Sequence, residues 1–264
     1  MRLGSGAFCE GYQVSFIETD KSKYVPYNVR LGDKFQLNEK SKYVSNHSNR
    51  QPRGPIVLYE FEGCPFCRKV REAVSILSLE VEFRPTPQGS VYRDEIKKKY
   101  GRKATFPFMV DPNTGIEMFE SDDIIAYLFR AYGMSKEGNV PSSLSPGAST
   151  TIMTGLSLLF RFGKGSKVKD SNPPEKSLIL WSAEGTPFGK LVREELNELQ
   201  IAHRQISCPR GGVNRQRMFE ETGGTFQIPY LEDPNNGVKL FESSTIIEYL
   251  QKMYGITSTA VEYL

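Results

Sequence analysis

The chain has no apolar run of the roughly 18 residues that a membrane-spanning helix needs, and its first residues contain no apolar signal core. Histidine is almost missing, with only His47 and His203. Neither joins Cys9 or Cys208 in a sequence pattern resembling the four-ligand set of a zinc centre, so no metal site is expected. Charge of one sign is also lacking. The chain has 34 basic and 31 acidic residues, a net charge of +3 and no basic stripe, which argues against nucleic acid as a partner. Four cysteines in 264 residues are too few for a secreted disulfide scaffold. Two of them, Cys64 and Cys67, nonetheless form a CxxC, the spacing of a redox or metal pair in a reducing compartment. Transit peptides are poor in acids, whereas residues 1–54 hold Glu10, Glu18, Asp20, Asp33 and Glu39. A targeting segment is therefore expected to have been removed or never to have been present.

What the chain does have is one domain written twice. With a shift of 122 residues and no gap, residues 56–133 match residues 178–255 at roughly a third of positions. EGCPFCRKVRE (62–72) becomes EGTPFGKLVRE (184–194), DPNTGIEMFES (111–121) becomes DPNNGVKLFES (233–243), and IIAYL (124–128) becomes IIEYL (246–250). The expected division is an irregular, aromatic-bearing extension over 1–54, a first domain over 55–133, a linker over 134–177 and a second domain over 178–258. Within the linker, residues 151–162 are amphipathic, and Leu156, Leu159 and Phe160 are expected to dock one domain on the other.

In each copy a short apolar run, IVLYEF at 56–61 in the first, suits a central strand. A GCP turn then precedes Phe66, Val70, Ala73, Val74 and Leu77 at helical spacing. Residues 81–84 read as a second, parallel strand and 91–100 as a polar helix. Two further strands, 106–110 and 116–119, flank a turn built from Asp111, Pro112, Asn113, Thr114 and Gly115. Ser121 is expected to cap a closing helix with Asp122 and Asp123 in its first turn. The predicted order is βαβαββα, an α/β fold present twice.

That order, with CPFC after the first strand, TFP (105–107) before the hairpin and ES (120–121) opening the last helix, resembles the thioredoxin-like N-terminal domain of glutathione S-transferases and glutaredoxins. The tandem is similar to plant and algal plastid proteins with two such domains, and the first copy also to the prostaglandin E synthase type 2 family. The resemblance covers 56–133 and 178–255 and leaves the extension and linker outside it.

The residues then suggest a chemistry. At the start of a helix, Cys64 meets unpaired N–H groups and the positive dipole end, which favour thiolate, and Arg68, Lys69 and Arg71 add charge. Cys67, one turn on, can attack a mixed disulfide formed on Cys64. A structural thiol pair, or a glutathione-completed iron–sulfur cluster shared by two chains, remains open but is not favoured. The resemblance implies a cis Pro107 facing the cysteines, with the main chain of Phe106 on the cysteinyl part of glutathione and Glu120 and Ser121 on its γ-glutamyl end. Thr186, Pro229, Glu242 and Ser243 are the corresponding degenerate site in the second copy, with Thr186 expected to cap its helix and Gly189 standing where Cys67 has its counterpart.

The expected function is a glutathione-linked thiol–disulfide oxidoreductase with glutathione as co-substrate and glutathione or protein thiols as partners. By resemblance its location is the chloroplast. A non-catalytic subunit that joins a larger assembly through the extension, and a glutathione-dependent isomerase or transferase, are the alternatives.

Overall fold

The computed structural model describes residues 12–18, 30–31, 34–44, 50–134, 137–145 and 163–256. Residues 151–162, Cys9 and His47 lie outside them, and with them the expected docking role of Leu156, Leu159 and Phe160. No helix among the described residues is long and apolar enough to cross a membrane.

The N-terminal extension is more regular than its sequence suggests. Tyr12–Glu18 (β1), Arg30–Leu31 (β2) and Phe35–Ser41 (β3) make an antiparallel three-stranded sheet with β3 in the middle. Apolar residues do alternate along β1, but Val14 and Phe16 stay exposed, as does Ile17 on the other face. Without a buried side the strand leaves only a weak pattern in the sequence. The extension is fastened at its end, where Val44 enters the core of the first domain and Tyr43 meets Phe129 edge-on at 5.2 Å.

The first repeat then runs Ile56–Glu60 (β4), Pro65–Ile76 (α1), Glu80–Pro85 (β5), Val91–Tyr100 (α2), Phe108–Asp111 (β6), Ile116–Met118 (β7) and Ser121–Tyr132 (α3). The second gives Leu178–Ser182 (β8), Pro187–Glu198 (α4), His203–Ser207 (β9), Asn214–Glu221 (α5), Tyr230–Asp233 (β10), Val238–Phe241 (β11) and Ser243–Tyr254 (α6). Both are βαβαββα, as expected. β4 pairs parallel with β5 and antiparallel with β6, and β8 does the same with β9 and β10. In each domain the central strand is apolar on the face that meets the helices. Ile56 and Leu58 pack with Val70, Val74, Ile124 and Leu128 in one core, and Leu178 and Leu180 pack with Val192, Leu196, Ile246 and Leu250 in the other.

Each hairpin turn is tied to its closing helix by a carboxylate. Asp111 accepts from the hydroxyls of Tyr127, at 2.6 Å, and Tyr132, and Asp233 accepts from those of Tyr249, at 2.6 Å, and Tyr254. These contacts fix the C-terminal halves of α3 and of α6 relative to the sheet.

The two domains share one eight-stranded sheet, in the order β11-β10-β8-β9-β5-β4-β6-β7. They meet where β5 pairs antiparallel with its own copy, β9. Val81 lies opposite Gln205, the copy of Phe83, and Phe83 opposite His203, the copy of Val81, so a pseudo-twofold axis passes between them.

Behind this joint is a layer of buried charge with the same symmetry. Arg71 reaches Glu184 at 3.1 Å and Glu62 at 3.2 Å, while Arg193 reaches Glu62 at 3.1 Å and Glu184 at 2.9 Å. Both guanidinium groups are fully buried. Asn197 and Ser75 add hydrogen bonds to the main-chain N–H groups of Glu62 and Glu184.

His203 belongs to the same layer. Its ring is completely buried, stacks on Phe83 at 5.5 Å and donates from Nδ1 to the Ile201 carbonyl. Burial, reinforced by the charges of Arg193 and Arg71, pushes its pKa down to about 4. An unfolded histidine titrates near 6.5, so between these values the unfolded chain binds the extra proton. The stabilisation from a neutral His203 is present in full above about 6.5 and is lost as pH falls through about 4. Urea unfolding at pH values on either side of this window should show the wild type losing about 3 kcal/mol more than His203→Gln on acidification. Equal losses would mean that His203 does not contribute to the acid sensitivity of the fold.

Candidate functional site

Cys64 occupies the N-cap of α1, with Pro65 at the first helical position, where its missing N–H costs nothing. The Cys64 Sγ accepts from the main-chain N–H of Cys67 at 3.3 Å. It also lies 3.8 Å from the carbonyl oxygen of Phe106, to which its thiol donates. Hydrogen bonding with the side chain of Cys67, helped by the Cys67 N–H and by Arg71 and opposed by burial, holds the Cys64 thiol below its ordinary value. Cys67 is the reverse case. It is completely buried, and burial together with its hydrogen bond to Cys64 pushes its thiol well above the ordinary range. Both thiols are free. The pair is therefore asymmetric, with an acidic outer sulfur and an inner sulfur that holds its proton.

The Phe106–Pro107 peptide is cis, and Phe106 stands directly against Cys64. Lys69, buried on α1, reaches Asp122 at 2.5 Å and draws the start of α3 to the same helix that carries the cysteines. Cys64 thus lies against both Cys67 and the Phe106 end of the cis peptide, and Glu120 and Ser121 are at the nearby start of α3.

Ser121 differs from expectation in its role. The N-cap is Glu120, in the left-handed region at φ 68°, and it makes no side-chain capping bond. Ser121 is the first residue of the helix and is buried. An exposed glutamate in this conformation is uncommon, and its copy Glu242 repeats it at φ 66°.

Sequence reasoning missed Arg93, which sits on the polar helix α2. Its Nε donates to the carbonyls of Thr86 at 2.8 Å and Pro87 at 3.2 Å, and its guanidinium lies over the rings of Phe61 at 5.2 Å and Phe106 at 4.7 Å. Burial lowers its pKa, and the two cysteines oppose that shift, which places a cation beside the sulfurs. Read alone, it is one charge among several on a solvated helix.

The linker also enters the site. A side chain at Gly63 would put its Cβ 2.0 Å from the Ser166 oxygen, so residues 163–168 cross directly over the residue before Cys64. Gln88 donates its N–H to the Ser166 carbonyl and accepts from Val168, which pins that crossing.

In the second domain the scaffold is kept and the chemistry is not. The Ile228–Pro229 peptide is cis, and Thr186 has nearly the backbone angles of Cys64. Thr186 does not cap the helix with its side chain as expected. Its hydroxyl donates to the Ala183 carbonyl at 2.9 Å instead. At Gly189 a Cβ would lie 2.2 Å from the Ser182 oxygen and 2.5 Å from the Thr186 oxygen, so the position of the second cysteine is filled by neighbours. Glu242 is bound by Gln227. Cys208 is buried beside β8, with its N–H on the Ser182 carbonyl at 2.8 Å and its thiol pushed up by burial. Among the described residues no group of three or more His, Cys, Asp or Glu is placed to hold a metal ion.

A family model described as glutathione S-transferase, N-terminal domain, matches residues 58–138 and again 180–258. Among solved structures, a glutathione transferase of Bombyx mori is 31% identical over 33% of this chain and 39% of its own, with a TM-score of 0.29. The same transferase in complex with GTT is 28% identical over 43% of this chain and 50% of its own, also at 0.29. A trimeric glutathione transferase of Leishmania is 12% identical over 78% of this chain and 68% of its own, at 0.26. The chain thus spans two fifths to one half of the length of the Bombyx mori transferase it matches. No curated protein matches it.

Proposed function

Since the chain belongs to the glutathione S-transferase N-terminal domain family, and does so twice, we propose that its first domain is a glutathione-linked thiol–disulfide oxidoreductase and its second a scaffold without thiol chemistry. The family supports a glutathione-related function in general. The finer reading is carried by the asymmetry of the CPFC pair, in which Cys64 is acidified at a helix start and Cys67 is buried and protonated.

In this reading the Cys64 thiolate attacks one sulfur of a glutathione-containing disulfide. A new S–S bond forms, the old one breaks, and the departing thiolate takes a proton from solvent. Cys67 then attacks the mixed disulfide on Cys64 and expels glutathione thiolate, leaving a Cys64–Cys67 disulfide. The dithiol has given up two electrons. Two molecules of glutathione restore it and leave as glutathione disulfide.

Phe106 offers main-chain polar groups beside the sulfur, Glu120 a carboxylate for the ligand's amine, and Arg93 a cation for its carboxylate. In the second domain Thr186 and Gly189 exclude this exchange, and the domain's place is to complete the shared sheet and the buried charge layer. A plastid location accompanies this reading on resemblance to two-domain plastid proteins.

Calorimetric titration of the reduced protein with glutathione tests the ligand assignment. Glu120→Gln should weaken binding by about tenfold, the effect of losing one charge-assisted hydrogen bond. Unchanged affinity would leave Glu120 as a backbone feature only.

A further inference from the structure

The repeat supplies its own control for the charges buried behind the cysteines. Glu62 and Arg71 and their copies Glu184 and Arg193 pair two against two, so that set of four is neutral by itself. Glu60, at the end of β4 and 2% exposed, is a fifth charge in the layer. Its copy is Ser182, and the copy of Cys67 is Gly189. The carboxylate and the inner cysteine are present together in one domain and absent together in the other, whereas the charges that join the domains are kept in both. A role in the joint alone does not account for that distribution.

The two oxygens of Glu60 are used differently. Oε2 accepts from Arg71 Nη1, while Oε1 is buried with no hydrogen-bond partner among the described residues. Arg71 stands one helical turn beyond Cys67 on α1, and the same Nη1 is 3.5 Å from the carbonyl of Phe61, whose backbone also hydrogen-bonds Cys67. The charge of Glu60 is felt by both sulfurs, and Glu60 itself faces Arg71, Glu62 and Arg193. Burial raises its carboxyl above the ordinary range, toward the values at which a carboxylate accepts a proton well.

Cys67 needs such an acceptor. A thiol must lose its proton to attack a disulfide, and this one is completely sealed from water. We propose that Glu60 is the general base that takes the Cys67 proton as Cys67 attacks a mixed disulfide on Cys64, an assignment that rests on the dithiol chemistry proposed above. The Cys67 S–H bond breaks, its proton passes to Glu60 Oε1, the Cys67–Cys64 bond forms, and the bond from Cys64 to the departing group breaks with its electron pair on the leaving thiolate. While Cys64 is a thiolate, its charge and that of Glu60 oppose each other. Once Cys64 is in the mixed disulfide that opposition is gone, and Glu60 holds its charge until the proton arrives.

The test uses the full chain with Cys9 and Cys208 replaced by serine, reduced and mixed with the chromogenic disulfide dithionitrobenzoate in a stopped-flow instrument. Cys64 releases one coloured thiolate in a first phase, and attack by Cys67 releases the second. In Glu60→Gln, which keeps a hydrogen-bonding partner for Arg71, the first phase persists and the second slows by about a hundredfold. Its rate then climbs with pH across the range in which the parent's is level. Glu60→Ser, which installs the residue of the second domain, does the same should the glutamine variant fold poorly, and Glu60→Asp recovers part of the rate. A second phase at the parent's rate and with its pH profile in both Glu60→Gln and Glu60→Ser overturns the assignment. If both phases appear in the parent with this probe but glutathione disulfide does not react, the glutathione reading fails while the Glu60 comparison still decides the base.

Discussion

Replacing Arg193 with Leu should cost the protein about 3–5 kcal/mol and bring both domains down together. Arg193 is fully buried and holds Glu62 from the first domain and Glu184 from the second. Its removal leaves two buried carboxylates to share Arg71, with Glu60 already on that guanidinium. A cavity adds little here; the cost is uncompensated charge. The exposed pair of Lys99 and Glu117 is the internal comparison, since solvent screens it and breaking it should leave both transitions almost where they are. Trp181, the single tryptophan, is buried in β8 and reports on the second domain, while protection of the completely buried Cys67 from alkylation reports on the first. Urea transitions followed by these two probes should shift to lower concentration by the same amount in Arg193→Leu. A shift of the tryptophan signal alone would mean that the domains do not depend on one another.

The second large effect concerns the outer sulfur. Cys64→Ser should lower thiol–disulfide exchange with a glutathionylated substrate by at least about a thousandfold, because no other described thiol combines a helix-start position with a lowered pKa. Cys67→Ser should behave differently. Cys64 would still form the mixed disulfide, and external glutathione rather than Cys67 would resolve it, so reduction of glutathionylated substrates would survive while reduction of protein disulfides would stall. Equal and complete loss in the two variants would mean that the sulfurs do not divide the work in this way.

Much of the fold was legible because strands and helices alternate with clear periods and the repeat gives every element twice. The closing helix α6 shows it best, since Ile246, Leu250 and Tyr254 recur one turn apart and are its buried apolar residues, with Ser243 at its start. The sulfur site was legible for a similar reason, because CPFC after an apolar strand places a cysteine at a helix start. The three-stranded sheet of the extension was not, since Val14 and Phe16 on one side and Ile17 on the other are all exposed.

Ser121 and Thr186 were misread because hydroxyl residues near helix starts usually cap. Here a left-handed glutamate takes the N-cap position of α3, and the Thr186 hydroxyl turns back to a carbonyl. The charge layer was hidden for another reason. Glu62, Arg71, Glu184 and Arg193 look like solvated charges in either copy and become a buried cluster only when the copies face each other. Their retention at equivalent places in both repeats was the available signal.

Site-resolved alkylation of the reduced wild-type chain as a function of pH, with each cysteine quantified by peptide mass, separates an acidic outer sulfur from a protonated inner one. Cys64 should react first and with an inflection below the ordinary thiol range, while Cys67 and Cys208 stay protected until the fold opens. Equal reactivity of Cys64 and Cys67, or an inflection for Cys64 at the ordinary thiol value, would contradict it.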